Sequence, residues 1–302
     1  MKKPATEYQK GILLVIACYT IWGSFPLYWY PLQGMDAYQI MAQRVLWSFL
    51  FLLGVVTFTG QIKVVLHGLT NRRIFVTFLG ASFFIFFNWL TYLWAISNNH
   101  VLDASLGYYM NPLVSIFLGR IFLKEYLSRP QYIAIGIATL GVLWLAILGK
   151  SIPIVAIILA TSFGFYGLIK RVASLPTIPG LTLETLFMMP YSIVYLAIVI
   201  NKGELQLFNL DTIPLLVLLF SGAVTTIPLV LFSEGARRIP LSLVGIFQYI
   251  SPTFQLLMGI FLFKETFSAN RFVGFALVWV AIAVFLYGEW RKKHPKGGKA
   301  AL

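Results

Sequence analysis

Charge is scarce in this chain. Only 11% of its 302 residues are charged, and 59% are hydrophobic. Average soluble domains carry about 25% charged and roughly 45–50% apolar residues. A soluble core of this length has no use for so much apolar surface, so the excess must face lipid. Cysteine is almost absent too. The single Cys18 excludes an internal disulfide and any cysteine-held metal cluster. It sits in an apolar run and reads as a small packing residue, since cleavage before it would cut that run in half. The three histidines, His67, His100 and His294, all fall outside the apolar runs. No phosphate-binding glycine loop followed by Lys and Ser or Thr is present, so this chain alone does not bind ATP in that way. Acidic residues number ten, and only Glu184 lies well inside an apolar run. No second carboxylate is there for a paired acid–base device. Enzymatic chemistry is therefore not expected, nor is a cofactor or a metal.

What is present is a series of apolar runs, each near the 20 or so residues that cross hydrocarbon as a helix. Pro, Gly and charge divide the chain into ten: 11–30, 38–58, 74–97, 104–123, 129–148, 152–169, 180–200, 212–232, 241–263 and 270–287. The expected fold is an all-α polytopic membrane protein with ten transmembrane helices and short connections. Lys2, Lys3 and Lys10 ahead of the first run imitate a signal peptide. The run is too long for one, and nine more follow. The net charge of +13 does not point to nucleic acid, because no basic stripe alternates with aromatics outside the spans. It follows instead from basic loops on one membrane face, which would also meet anionic lipid.

Those loops set the orientation. With the N-terminus inside, the inner face collects Lys63, Arg72, Arg73, Arg120, Lys124, Arg129, Lys170, Arg171, Arg237 and Arg238 besides both termini. The outer face holds only Lys150, Lys202, Lys264 and Arg271. Cytoplasmic loops gather Lys and Arg, so both termini are expected in the cytoplasm, which ten spans also require.

A shift of 140 residues superposes the two halves. Tyr109 falls on Tyr249, Pro112 on Pro252, Gly119 on Gly259, Lys124-Glu125 on Lys264-Glu265 and Ser128 on Ser268. This marks an internal duplication. Each copy holds an odd number of spans, five, so the second is inverted. The expected units are 1–148 and 149–288, followed by a basic cytoplasmic tail, 289–302. Inverted repeats are common among secondary transporters, which keep a site near the bilayer midplane.

Ionisable groups inside spans are costly and usually face a cavity or a partner. Two full charges are counted there, Arg44 and Glu184, and they stand at the repeat offset. If one faces a central cavity, so does the other. Tyr108, Asn111 and Ser115 share a helix face in the fourth span, and Gln248, Ser251 and Gln255 repeat that spacing in the ninth. Pro112 and Pro252 lie inside the same spans, where each removes a backbone hydrogen bond and is expected to bend the helix. Asn88 and Tyr92 form a further i, i+4 pair beside Trp89. An aromatic-rich pocket suits an amphipathic or ring-bearing solute. Were transport coupled to protons, Glu184 would be the best carrier. The rival classes are a membrane-embedded enzyme and a non-transporting membrane partner protein.

Several stretches together resemble one family. They are Ile21-Trp22-Gly23 with Pro26, Gln43-Arg44 with Trp47-Ser48, Asn88-Trp89-Leu90-Thr91-Tyr92, Ala104-Ser105-Leu106-Gly107-Tyr108 through Asn111-Pro112, Glu184-Thr185 with Pro190, and Gln248-Tyr249 with Pro252. The chain resembles the RarD-type permeases of the EamA branch of the drug/metabolite transporter superfamily. It departs from them at Glu125-Tyr126-Leu127, where relatives often carry Glu-Arg-Leu. The resemblance implies two inverted five-helix EamA repeats around a central cavity. It also implies movement of a small organic metabolite or drug across the bacterial inner membrane. Arg44, Trp47, Asn88, Tyr92, Tyr108, Asn111, Glu184 and Gln248 are expected to line the path, with Arg44 attracting a carboxylate or other anionic group.

Overall fold

A backbone in hydrocarbon has to satisfy its own hydrogen bonds, which a helix does within one segment. The computed structural model describes residues 6–97, 101–149, 154–261 and 269–293, and among them no strand occurs. The helices are α1 (Glu7–Gly23), α2 (Phe25–Trp29), α3 (Ala37–Phe58), α4 (Ile62–Thr70), α5 (Arg72–Ser97), α6 (Val101–Phe122) and α7 (Arg129–Gly149) in the first half. The second half holds α8 (Ile154–Val172), α9 (Thr177–Asn201), α10 (Thr212–Arg238), α11 (Leu241–Gln248), α12 (Ile250–Phe261) and α13 (Ala269–Lys293). Nine segments among the described residues are long and apolar enough to cross a membrane. The tenth is α6, packed inside the bundle between α8 and α11.

The packing follows the duplication. α3 lies against α9, α6 against α11, and α7 against α13, each pair joining equivalent helices of the two halves. The contact of α1 with α10 is repeated by that of α5 with α8. Close approach is bought with small residues. A Cβ on Gly222 of α10 would lie 2.3 Å from the backbone of Trp47 on α3, so these helices touch at that point.

Five features refine the expectation. The first span breaks at Ser24, where Phe25-Pro26 starts the short α2. The ninth breaks at Tyr249, between α11 and α12. Pro252 has no N–H to give the Gln248 carbonyl four residues back, so the turn preceding it is not held. At Pro112 α6 runs on as one helix. Between the second and third spans stands α4, a helix too short to be one of the apolar runs. It buries Val65 and Gly68 and exposes Lys63, Leu66 and His67, so it lies along one end of the bundle against α9. Finally, residues 289–293 of the expected tail belong to α13. Glu289 accepts hydrogen bonds from the Tyr8 hydroxyl at 2.7 Å and from Gln131 Nε2 at 3.0 Å. Tail residues 294–302 lie outside the described residues.

Candidate functional site: an aromatic cavity around Arg44

A cavity of about 660 Å³ occupies the half of the bundle away from the N-terminus. That volume is in the usual range for small-molecule sites. Its walls come from the ends of α1 and α5, the starts of α3 and α6, and the α11–α12 break, and it reaches Gln33 between α2 and α3. Trp22, Phe25, Trp29, Trp89, Tyr92 and Phe163 give it aromatic walls. Trp22 packs edge-on against Phe163 at 5.8 Å and tilts on Tyr19 at 5.5 Å, which fixes the floor.

Among the described residues Arg44 supplies the only charge in the lining. Its guanidinium carbon sits 3.9 Å from the centre of the Trp89 ring and 5.8 Å from that of Trp29. Such ring faces attract a cation but accept few of its five N–H groups. Among the described residues no carboxylate pairs with Arg44, and its buried Nε has no hydrogen-bond partner. Three more buried polar atoms are unpaired on the same walls: Asn111 Oδ1, Gln248 Oε1 and the Tyr19 hydroxyl. Buried polar groups are normally satisfied, and here four orphaned atoms converge on one cavity.

The other polar residues are partly committed. Asn88 donates to the Leu159 carbonyl at 2.9 Å and to Ser162 Oγ at 3.0 Å, tying α5 to α8. Gln248 Nε2 donates to Ser115 Oγ at 3.2 Å, which leaves Oε1 without a partner. The Tyr92 and Tyr108 rings meet edge to face at 5.9 Å.

Two expected residues lie elsewhere. Trp47 is absent from the lining. It lies nearly one turn beyond Arg44, the last residue of α3 to reach the cavity, and its Nε1 donates to Gln43 Oε1 at 3.1 Å. Glu184 is also absent. Its Oε1 meets Lys170 Nζ at 2.6 Å, and its Oε2 accepts from the Tyr166 hydroxyl at 3.1 Å. Lys170 is fully buried and Glu184 is 2% exposed. A third intramembrane charge therefore exists, and the Glu184 carboxylate already has its partners.

The half of the bundle near the N-terminus is tied shut. Glu125 accepts from the backbone N–H of Leu241 at 2.5 Å and of Ser242 at 2.9 Å, capping α11 from the other repeat. Lys124 takes a positive φ of 54° to aim it, and the carboxylate lies on Gly119, where a Cβ would come within 2.8 Å. Arg171 donates to the Ala236 carbonyl at 3.0 Å and to that of Arg237, and Arg237 donates to Leu175. Arg238 pairs with Glu7 at 2.9 Å and with Glu234.

A ten-helix bundle of two related units, closed at one end and hollowed at the other, has the architecture of a membrane carrier. The family model of the EamA-like transporter family matches twice, over residues 9–147 and 150–287. The chain belongs to that family, and it is a RarD-type member. The uncharacterized transporter YojE of Bacillus subtilis is 42% identical over 95% of this chain and 97% of its own length. Protein RarD of Escherichia coli is 37% identical, covering 93% of this chain and 95% of its own. The chloramphenicol-sensitive protein RarD of Pseudomonas aeruginosa is 27% identical over 90% of this chain and 92% of its own. One crystal structure shares the fold at a TM-score of 0.71 and 16% identity, covering 92% of this chain and 98% of the other.

Proposed function

We propose that this permease is a secondary carrier for a small carboxylate-bearing organic solute, working by alternating access across the bacterial inner membrane. The repeats 1–148 and 149–288 move against each other, both termini face the cytoplasm, and the conformation described opens outward. The observation that carries the reading is Arg44, a cation in an aromatic cavity where, among the described residues, no acid lines the walls or pairs with it. The planar guanidinium takes a carboxylate through two parallel bonds, while Asn111 Oδ1 and Gln248 Oε1 accept from donors beside it. The rings of Trp22, Trp29 and Phe163 hold the apolar remainder.

The test is a thermal-shift screen of purified protein. It compares aromatic and aliphatic amino acids, the amines lacking their carboxylate, and chloramphenicol. Ligand at about 100 times its dissociation constant stabilises by about 2.7 kcal/mol. Carboxylates should raise the apparent Tm, the matching amines should not, and Arg44→Gln should abolish the shift. Stabilisation by amines or by chloramphenicol alone would remove the carboxylate from the reading. A flat screen would favour a non-transporting partner protein.

A further inference from the structure

The repeat offset makes Arg44 and Glu184 equivalent, on the equivalent helices α3 and α9. They stand in opposite electrostatic conditions. In the closed half, Glu184 is sealed at 2% exposure because Lys170 and Tyr166 of α8 meet its two oxygens. The same offset carries Lys170 to Tyr30 and Tyr166 to Pro26, and both of these line the open cavity with Arg44. Neither is acidic. Closing the Arg44 half as the Glu184 half is closed would bury a guanidinium against Tyr30 and Pro26 with no anion. Burying an uncompensated charge is far more costly than burying a matched pair. The Trp89 and Trp29 rings do not remove that cost, since the Nε is already buried without an acceptor.

We infer that Arg44 locks the empty carrier open, and that a solute anion, by supplying the missing partner, is what permits closure. The inference rests on the proposed carrier reading and deepens it. The bound carboxylate does for Arg44 what Lys170 does for Glu184. An empty carrier then cannot return through the closed state, so exchange of anionic solutes outruns net flux. No bond is made or broken in this step; one charge is neutralised by contact.

The test needs no solute. Cys18→Ser removes the one native thiol, and reporter cysteines are placed at two positions equivalent under the repeat. Gln255→Cys lies on the open cavity, and Ser115→Cys lies at its counterpart, 1% exposed. With Arg44, or with Arg44→Lys, a maleimide should label position 255 and spare position 115. Arg44→Gln should slow labelling at 255 by about tenfold or more and raise it at 115, as a shift of about 1.4 kcal/mol or more requires. Arg44→Met serves as the second neutral variant if Arg44→Gln does not yield a monodisperse protein. Unchanged labelling in the neutral variants would overturn the inference. A carboxylate-dependent, Arg44-dependent thermal shift would in that event leave the carrier reading standing, whereas a flat screen would remove the reading itself.

Discussion

Lys170→Met should be among the most damaging single changes in the molecule. Lys170 is fully buried, Glu184 is 2% exposed, and their charged atoms are 2.6 Å apart. At an effective dielectric of about 20, two charges at that distance attract by roughly 6 kcal/mol. Desolvating each ion costs several kcal/mol, so the intact pair contributes little net. Removing one partner is different. Glu184 would keep only the Tyr166 hydroxyl, and stranding a buried charge costs about 3–5 kcal/mol. At roughly 2 °C per kcal/mol for a chain of this size, the apparent Tm should fall by about 6–10 °C. The double variant Lys170→Met with Glu184→Met removes both charges at similar volume and should recover most of that loss. A differential scanning measurement on parent, two singles and the double closes the cycle. If Lys170→Met lowers Tm by less than about 2 °C, or if the double equals the sum of the singles, the pair is not what seals this half.

Two further substitutions probe the same architecture. Glu125→Ala leaves the Leu241 and Ser242 amides without their cap; a loss of about 0.5–2 kcal/mol is expected, read as a lower apparent Tm together with faster labelling of a cysteine at Ser115. Gly222→Ala forces a methyl within 2.3 Å of the Trp47 backbone, so α3 and α10 must separate and folded yield should drop, whereas Gly136→Ala, which meets nothing within 4 Å, should be silent on size-exclusion chromatography.

The spans were legible because lipid imposes a length and a composition that show in any window of about 20 residues. The duplication was legible because Pro112 and Pro252, or Lys124-Glu125 and Lys264-Glu265, kept register. The polar faces of Tyr108 with Asn111 and of Gln248 with Ser251 could be read from helical spacing, and these residues lie around the cavity. Lys170 could not be read this way. A lysine at the end of a span looks like a loop charge, and only the packing of Glu184 and Tyr166 around it reveals a buried partner. Without Lys170 as a partner, Glu184 looks free in the sequence. Trp47 shares a helix face with Arg44, but the cavity stops at Arg44 on α3, nearly one turn short of it, and helical spacing does not give the depth at which a cavity ends. Which tryptophans line the cavity could not be read in full either, because composition does not separate an aromatic facing lipid from one facing a solute.

The central claim is that Arg44 receives the anionic group of a transported solute. Uptake of a labelled carboxylate that stabilises the protein, measured in proteoliposomes with and without the same solute trapped inside, tests it most directly. The account predicts uptake by the parent that is fastest against trapped solute, and a loss of about tenfold or more in Arg44→Gln, equivalent to about 1.4 kcal/mol of binding. Undiminished uptake by Arg44→Gln would contradict it.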